Sequence, residues 1–158
     1  MNIPQINIMA MIDVIGSLSD NKLRGNIFMM DNSRSHDTTG QGTGVLSTVV
    51  QFGQVINWHI LPIDVQTEVR VNKIIWQDDV NPCLKVQEYG LPGSMPPYYA
   101  GIVKLDAANP IPGVPDSEMV KTGIYHYNLE VIMSGKTMTM TTNPSLNIRA
   151  PKWNSRER

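Results

Sequence analysis

Cysteine is nearly absent from this chain: among 158 residues, only Cys83 carries a thiol. One cysteine can form neither an internal disulfide nor a cysteine-based zinc site. The chain is nevertheless long enough to bury a sizeable apolar core without such links. We therefore expect a single domain over residues 1–150, followed by a basic C-terminal tail at residues 151–158.

Charge and long apolar runs are also scarce. Charged residues make up 17% of the chain and the formal net charge is −1, without a basic block that would hold a nucleic acid. The longest purely apolar run, residues 8–12, is far too short to cross a bilayer. The N-terminus also lacks the basic and apolar regions of a signal peptide. We expect a soluble, intracellular protein with no nucleic-acid partner and no membrane insertion.

The best helix formers are few, with 5 Ala, 9 Leu and 5 Glu, whereas Ile and Val together number 30. β-Branched residues fit the pleated surface of a sheet. Alternating apolar residues predict many short strands, the clearest at residues 124–133, while residues 16–21 and 89–99 are predicted to be irregular connections. The one helix-like stretch is 116–121. We expect an all-β fold: an antiparallel, jelly-roll-like β-sandwich of about 8–10 short strands.

Motifs for catalysis are missing. The glycine-rich run at residues 40–44 lacks the preceding strand and following helix of a dinucleotide-binding loop. His36, His59 and His126 are isolated in the sequence, and no Gly-x-Ser-x-Gly elbow occurs. Nothing groups an acid, a base and a nucleophile, so we expect that the protein is not an enzyme.

Oxygen-rich loops give the first kind of candidate binding site. Asp31 and Asp37, with serines at positions 33 and 35, have the spacing of oxygen ligands in a calcium loop. The glycine and glutamate of an EF-hand are missing from this loop, but an irregular calcium site needs neither. The alternative is a solvated turn, in which Asp bonds to its own backbone. Calcium is the one cofactor that the sequence suggests.

Aromatic residues beside acidic turns give the second kind of candidate binding site. Trp76 precedes the Asp78-Asp79 turn, and Tyr98 and Tyr99 fall in the predicted loop. Aromatic rings can stack on sugar faces while carboxylates bind sugar hydroxyls, so these five residues form a predicted carbohydrate site. The alternative is that the rings pack back onto the sandwich.

The chain also has 10 methionines, a high number for its length. Methionine is a flexible filler of cores, which is the simplest explanation. The other explanation is adaptable surface contact, for which the pairs Met29/Met30 and Met138/Met140 are candidates. A net charge near zero favours association, so we expect a homodimer or a higher assembly.

Several short motifs occur in an order that resembles the PixA/AidA family of bacterial inclusion-body proteins. The likeness is best over residues 6–60 and again over 120–148. The motifs are Ile12-Asp13, Ile27-Phe28-Met29-Met30, Gly40-Gln41-Gly42-Thr43-Gly44-Val45-Leu46 and Val50-x-x-Gly53-x-x-Ile56-x-Trp58.

This resemblance implies a cytoplasmic bacterial protein, stored in inclusions in some members. It also implies a β-sandwich similar to soluble, calcium-dependent bacterial lectins that bind galactose. In such lectins, calcium lies between loops at one end and is bridged by sugar hydroxyls. By analogy, the places to look are Asp64, the turn at residues 134–136 and Asn143, which stands where the family often has Asp before Pro.

Two functions are therefore expected. The first is a lectin-like, carbohydrate-binding protein, calcium-dependent and galactose-preferring. The alternative is a Met-rich storage or self-assembling inclusion-body protein without a specific ligand. The two are compatible, because a lectin can itself be stored.

Overall fold

The computed structural model describes residues 4–64, 66–89 and 98–151. Within these residues the chain forms twelve strands, one α-helix and two 3-10 turns, which confirms the all-β prediction. The strands are β1 (Ile6–Ile12), β2 (Ile27–Asp31), β3 (Ser47–Val50), β4 (Val55–Pro62), β5 (Val69–Trp76), β6 (Cys83–Tyr89), β7 (Tyr98–Val103), β8 (Leu105–Asp106), β9 (Met119–Val120), β10 (Gly123–Met133), β11 (Lys136–Thr139) and β12 (Ser145–Ile148). The helix α1 is Val14–Asp20, and the 3-10 turns are Gln77–Asp79 and Asp116–Glu118. No helix in these ranges is long and apolar enough to span a membrane.

Two main sheets carry most of the strands. The first has the order β2-β1-β4-β7-β6. In the second, β10 pairs with β11, β12 and β5, and β12 also pairs with β3. The pairs β1–β4 and β3–β12 are parallel, so the sheets are mixed rather than antiparallel as predicted. The chain visits the second sheet between β2 and β4, and β4 then returns in the direction of β1. Side-chain alternation has the same period in both kinds of pairing and could not show this.

The core lies between the two sheets. The clearest predicted strand is confirmed as β10, with Tyr127, Leu129, Val131 and Met133 buried on its inner face. Trp58 on β4 is 1% exposed, and its ring meets the edge of the Tyr127 ring at a centroid distance of 5.8 Å. This contact joins the first sheet to the second.

The helix α1 was not expected, because residues 16–21 were predicted to be irregular. Gly and Ser are weak helix formers, so the composition of this segment gives no helical signal. The residues that cap the segment do give a helical signal. The Asp13 carboxylate accepts a hydrogen bond from the Gly16 amide at 2.9 Å, and Asn21 ends the helix at φ 56°. The helix predicted at residues 116–121 is wrong, since only a 3-10 turn forms there.

Candidate functional site

The outer side of the first sheet carries an apolar surface, which we call the methionine face. Alternate residues of β1 and β2 enter the core, so the residues between them point outward. The strand register sets these outward side chains in rows across the sheet. One row is Phe28–Met11–Leu61, the next is Met30–Met9–His59–Tyr98, and a bordering polar row is Asn7–Asn57–Ala100. The methionine face comprises the first two rows.

Formal charge is missing from this surface. Among the described side chains that point outward from β1, β2, β4 and β7, there is no Asp, Glu, Lys or Arg. The titratable groups among them are His59 and Tyr98, whose rings stack at a centroid distance of 5.1 Å. Burial lowers the pKa of His59 from its ordinary value of 6.5, so the ring is neutral at neutral pH. The face is thus apolar and uncharged.

His59 is fixed by the polar border of the face. Its Nε2 lies 3.2 Å from Oδ1 of Asn7, and the same oxygen accepts a hydrogen bond from Nδ2 of Asn57 at 3.2 Å. Because the Asn7 oxygen is an acceptor, Nε2 of His59 carries the ring proton. Contacts from β1 and β4 therefore hold the imidazole of His59 in one orientation at the centre of the first sheet.

A cleft of about 430 Å³, lined by polar and apolar groups in similar measure, opens at the end of the sandwich where β1 begins and β3 and β12 end. We call it the end cleft. It is lined by residues from four separate segments: Pro4, Gln5, Ile6, Asn32, Ser33, Arg34, Ser35, Asp37, Val49, Gln51, Gln54, Arg149 and Ala150. Its volume is in the range of small-molecule sites.

The predicted calcium ligands Asp31 and Asp37 each have other partners in the fold. Asp31 ties the sheets to each other: Oδ2 accepts from Oγ1 of Thr48 at 2.6 Å, and Oδ1 accepts from Nε2 of Gln41 at 2.8 Å. Asp37 pairs with Arg149. In the described ranges, no group of three or more His, Cys, Asp or Glu side chains could hold a metal ion.

The other two predicted ligands also lie apart. Asp64 accepts a hydrogen bond from Oγ1 of Thr67 at 3.0 Å, just before the strand that pairs with Met133. Asn143 bonds to Asn128, five residues back along β10 from Met133, a separation of about 16 Å. The turn at residues 134–136 therefore lies at the end near Asp64 and away from Asn143. Calcium binding by these residues stays a prediction.

The predicted carbohydrate residues are divided between two sides of the first sheet. Tyr98 and Tyr99 lie on β7 rather than in a loop, so that prediction is wrong, and as neighbours on a strand they face opposite ways. Tyr99 and Trp76 both pack edge-on against Trp58, at ring-centroid distances of 6.2 and 6.3 Å. With Tyr127 these three rings form what we call the aromatic cluster. Tyr98 belongs to the methionine face. Residues 90–97 of the predicted loop lie outside the described ranges, as do residues 152–158 of the predicted tail.

The two predicted acidic residues remain beside the aromatic cluster. Asp78 and Asp79 are exposed in the 3-10 turn after β5, both with positive φ, at 57° and 55°. Their carboxylates are open to solvent, but the ring of Trp76 next to them is partly buried. The role of these five residues in sugar binding stays a prediction.

The sequence does not predict the methionine face, because methionine is most often a filler of cores. Of the four methionines predicted from the sequence as candidates for surface contact, three are buried: Met29, Met138 and Met140 are 0%, 6% and 1% exposed. The fourth, Met30, is 37% exposed and lies on the surface. One signal was available. Residues 8–12 and 27–30 are apolar at successive positions, which indicates strands that are apolar on both faces.

Cys83 is a structural thiol. It is 7% exposed, and burial raises its pKa to about 12 although Lys104 opposes the rise. A thiol that stays protonated is a poor nucleophile. We expect the folded chain to resist alkylation at pH 8 and to react at least about a hundredfold faster once unfolded. Labelling with iodoacetamide, followed by mass spectrometry, measures both rates; equal rates would contradict the assignment.

Comparisons with known proteins assign this chain to a family. A family model described as "Domain of unknown function (DUF8788)" matches residues 4–112. The chain belongs to this family. A search of curated proteins found no match.

Among solved structures, the DUF8788 chain is similar to the crystal structure of an inclusion body protein, PixA, from Burkholderia cenocepacia J2315. The TM-score is 0.65, and the match covers 94% of this chain and 98% of the other at 8% sequence identity. At such an identity the likeness shows the fold. The resemblance to PixA proteins is thereby confirmed for the fold, and the similar protein is described as an inclusion body protein rather than as an enzyme.

Proposed function

We propose that this chain is a self-assembling protein of the inclusion-body type, and that its first assembly step is a homodimer formed through the methionine face. The observation that carries this proposal is the uncharged, apolar outer side of the first sheet. An antiparallel or mixed sheet that faces water normally has polar residues on its outer side. A contiguous apolar patch instead marks a surface that binds a partner.

Pairing would stabilise the face by removing apolar side chains from water. Phe28 and Met30 are 38% and 37% exposed, and Met9 and Met11 between them are half-buried. Such burial contributes about 25 cal/mol per Å². Since no charged side chain has to leave water, little of this gain is lost to desolvation. The flexible methionine side chains can adjust to fit each other.

A second copy of the chain is the partner that this surface fits. An uncharged face offers nothing to select an oppositely charged protein, and it has no like charges to repel its own copy. In a twofold pair the same patch lies on both sides, so the methionine face meets itself. The inclusion body protein with the similar fold is a further support.

The size of the face indicates a weak, reversible pair. The methionine face together with its bordering polar row spans four strands about 4.8 Å apart and three rows about 6.6 Å apart, roughly 400 Å² for each copy. Two copies would bury about 800 Å², below the roughly 1,200 Å² of stable specific interfaces and in the range of weak, transient contacts. Such a pair forms when the protein is concentrated, as in an inclusion.

Sedimentation velocity across a hundredfold range of protein concentration tests this proposal. We expect the weight-average mass to rise from that of one chain, 17.6 kDa, toward that of two. The midpoint should be little affected by salt, because the contact is apolar. A single mass at every concentration would overturn the proposal, and a strongly salt-sensitive midpoint would assign the contact to charged residues instead.

Acid should weaken the dimer. When pH falls below the lowered pKa of His59, the ring becomes charged, and each copy then brings one cation to an apolar contact. The same lowered pKa makes the folded chain lose stability as pH falls through 6.5 toward the folded value. We expect association to fall by about tenfold between pH 7.5 and 5.5, and His59→Gln to remove most of that change. Sedimentation at both pH values measures it.

Carbohydrate binding is the second candidate function, and the end cleft is the observation that favours it. Its lining combines amide, hydroxyl and guanidinium groups with the apolar surfaces of Pro4 and Val49. Sugars present the same mixture of hydroxyls and C–H faces. The expected galactose preference and calcium dependence belong to this candidate. A glycan array, run with calcium and with a chelator, tests them: hits lost with the chelator support a calcium lectin, and a blank array overturns the candidate.

A further inference from the structure

Two arginines approach the end cleft from different segments of the chain. Arg34 belongs to the connection after β2, and Arg149 directly follows β12. Arg149 is held in place because its amide donates to the carbonyl of Val50 at 3.1 Å and its guanidinium pairs with Asp37. Arg34 forms no hydrogen bond or ion pair with any residue in the described ranges. The lining therefore has one uncompensated positive charge.

Several polar groups around the cleft are already fixed by the fold. Gln54, 6% exposed, donates from Nε2 to the carbonyl of Pro4 at 2.6 Å and accepts from the amide of Gln51 at 3.0 Å. Ser33 donates from Oγ to the carbonyl of Val49 at 3.2 Å. These bonds connect the N-terminal segment, β3 and the connection after β2. The cleft is thus preformed rather than assembled when a ligand binds.

The groups that remain for a ligand are mainly donors. Asn32 uses Oδ1 to accept from the amide of Asn7 at 2.8 Å, which leaves its NH₂ group. The side chains of Gln51 and Arg34 have no partner among the residues that the structure describes. The one carboxylate of the lining, on Asp37, is taken by Arg149. A matching ligand therefore needs several acceptor oxygens, at least one of them charged.

We propose that the end cleft binds a monosaccharide that carries a carboxylate, a hexuronic acid in chemical class. The carboxylate pairs with the guanidinium of Arg34, and ring hydroxyls accept from Asn32 and Gln51. The C–H face of the ring rests on Pro4 and Val49. This inference refines the carbohydrate-binding candidate above and rests on it, but it is independent of the methionine face.

The test compares three probes by isothermal titration calorimetry at low salt: galacturonate, galactose and acetate. Galacturonate and galactose differ in the carboxylate, and acetate has a carboxylate without a ring. We expect galacturonate to bind at least tenfold more tightly than either of the others. The variant Arg34→Gln should lose about tenfold in galacturonate affinity, because it keeps a donor but removes the charge. The matched control is Arg24→Gln, since Arg24 lines a different groove beside β11.

Each of the other outcomes would reject either the acidic-sugar inference alone or the carbohydrate candidate as well. Equal binding of galactose and galacturonate, or an unchanged affinity in Arg34→Gln, would overturn the acidic-sugar inference and leave the carbohydrate candidate standing. Acetate as tight as galacturonate would show a carboxylate site without sugar recognition, and would also overturn the inference. No binding of either sugar would reject both.

Discussion

The variant Met9→Lys is expected to remain monomeric at concentrations where the unaltered chain forms dimers. Met9 lies between Met30 and His59 in the longer row of the methionine face. A lysine there would bring one unpaired ammonium from each copy into an apolar contact, at a cost of about 3 kcal/mol or more. That cost raises the dissociation constant at least about a hundredfold. Sedimentation velocity measures the change.

The matched control for this variant is Ile124→Lys. Ile124 is an exposed apolar residue on β10 in the second sheet, 58% exposed, and it lies outside the methionine face. This control adds the same charge without touching the proposed contact, so we expect an unchanged dissociation constant. Met9 is partly buried in one copy, so urea unfolding of both variants checks that each remains folded at the concentrations compared. Equal loss of association in both variants would point to general charge effects and contradict the assigned surface.

The second large effect is expected for Trp58→Ala, which should lower the free energy of unfolding by about 3–5 kcal/mol. Trp58 is 1% exposed, and its ring contacts Trp76, Tyr99 and Tyr127 from three different strands. The cavity cannot close easily, because the surrounding rings are held by separate strands. Gly101 lies against the same ring: a Cβ there would be in van der Waals contact with the Trp58 ring at 3.5 Å and would crowd Cβ of Cys83 at 3.1 Å.

Urea unfolding followed by far-ultraviolet circular dichroism measures this effect without relying on tryptophan fluorescence. Ile75→Ala is the control: Ile75 lies on β5 beside the cluster but is 39% exposed, so we expect a change below about 1 kcal/mol. A loss below about 1 kcal/mol for Trp58→Ala would mean that the aromatic cluster does not organise the core.

The sequence predicted the strands that bury one face and expose the other. In β10 the alternation from Tyr127 to Met133 matches the buried positions, because a period of two follows directly from strand geometry. The direction of neighbouring strands could not be predicted, since it depends on the path of the connections. The helix α1 was also missed, because seven residues give little propensity signal and only the capping residues Asp13 and Asn21 mark it.

The candidate sites were harder to predict for a related reason. The end cleft is formed by residues 4–6, 32–37, 49–54 and 149–150, and only the fold brings these segments together. Of the residues chosen from the sequence, Asp37 and the two serines grouped with it, Ser33 and Ser35, line this cleft. The tyrosines at 98 and 99 were expected in a loop because proline and glycine are frequent just before them, yet both lie in β7. The methionine face is likewise set by strand register.

The measurement that tests the central claim most directly is a dilution series by methyl NMR on methionine-labelled protein. Met9, Met11 and Met30 lie on the methionine face, whereas Met29, Met133 and Met140 are buried in the core and serve as internal controls. We expect the methyl signals of the first three to shift or broaden as concentration rises, while those of the three core residues stay unchanged. Concentration-independent spectra for the surface methionines, in a sample that sediments as a dimer, would contradict the claim and place the interface elsewhere.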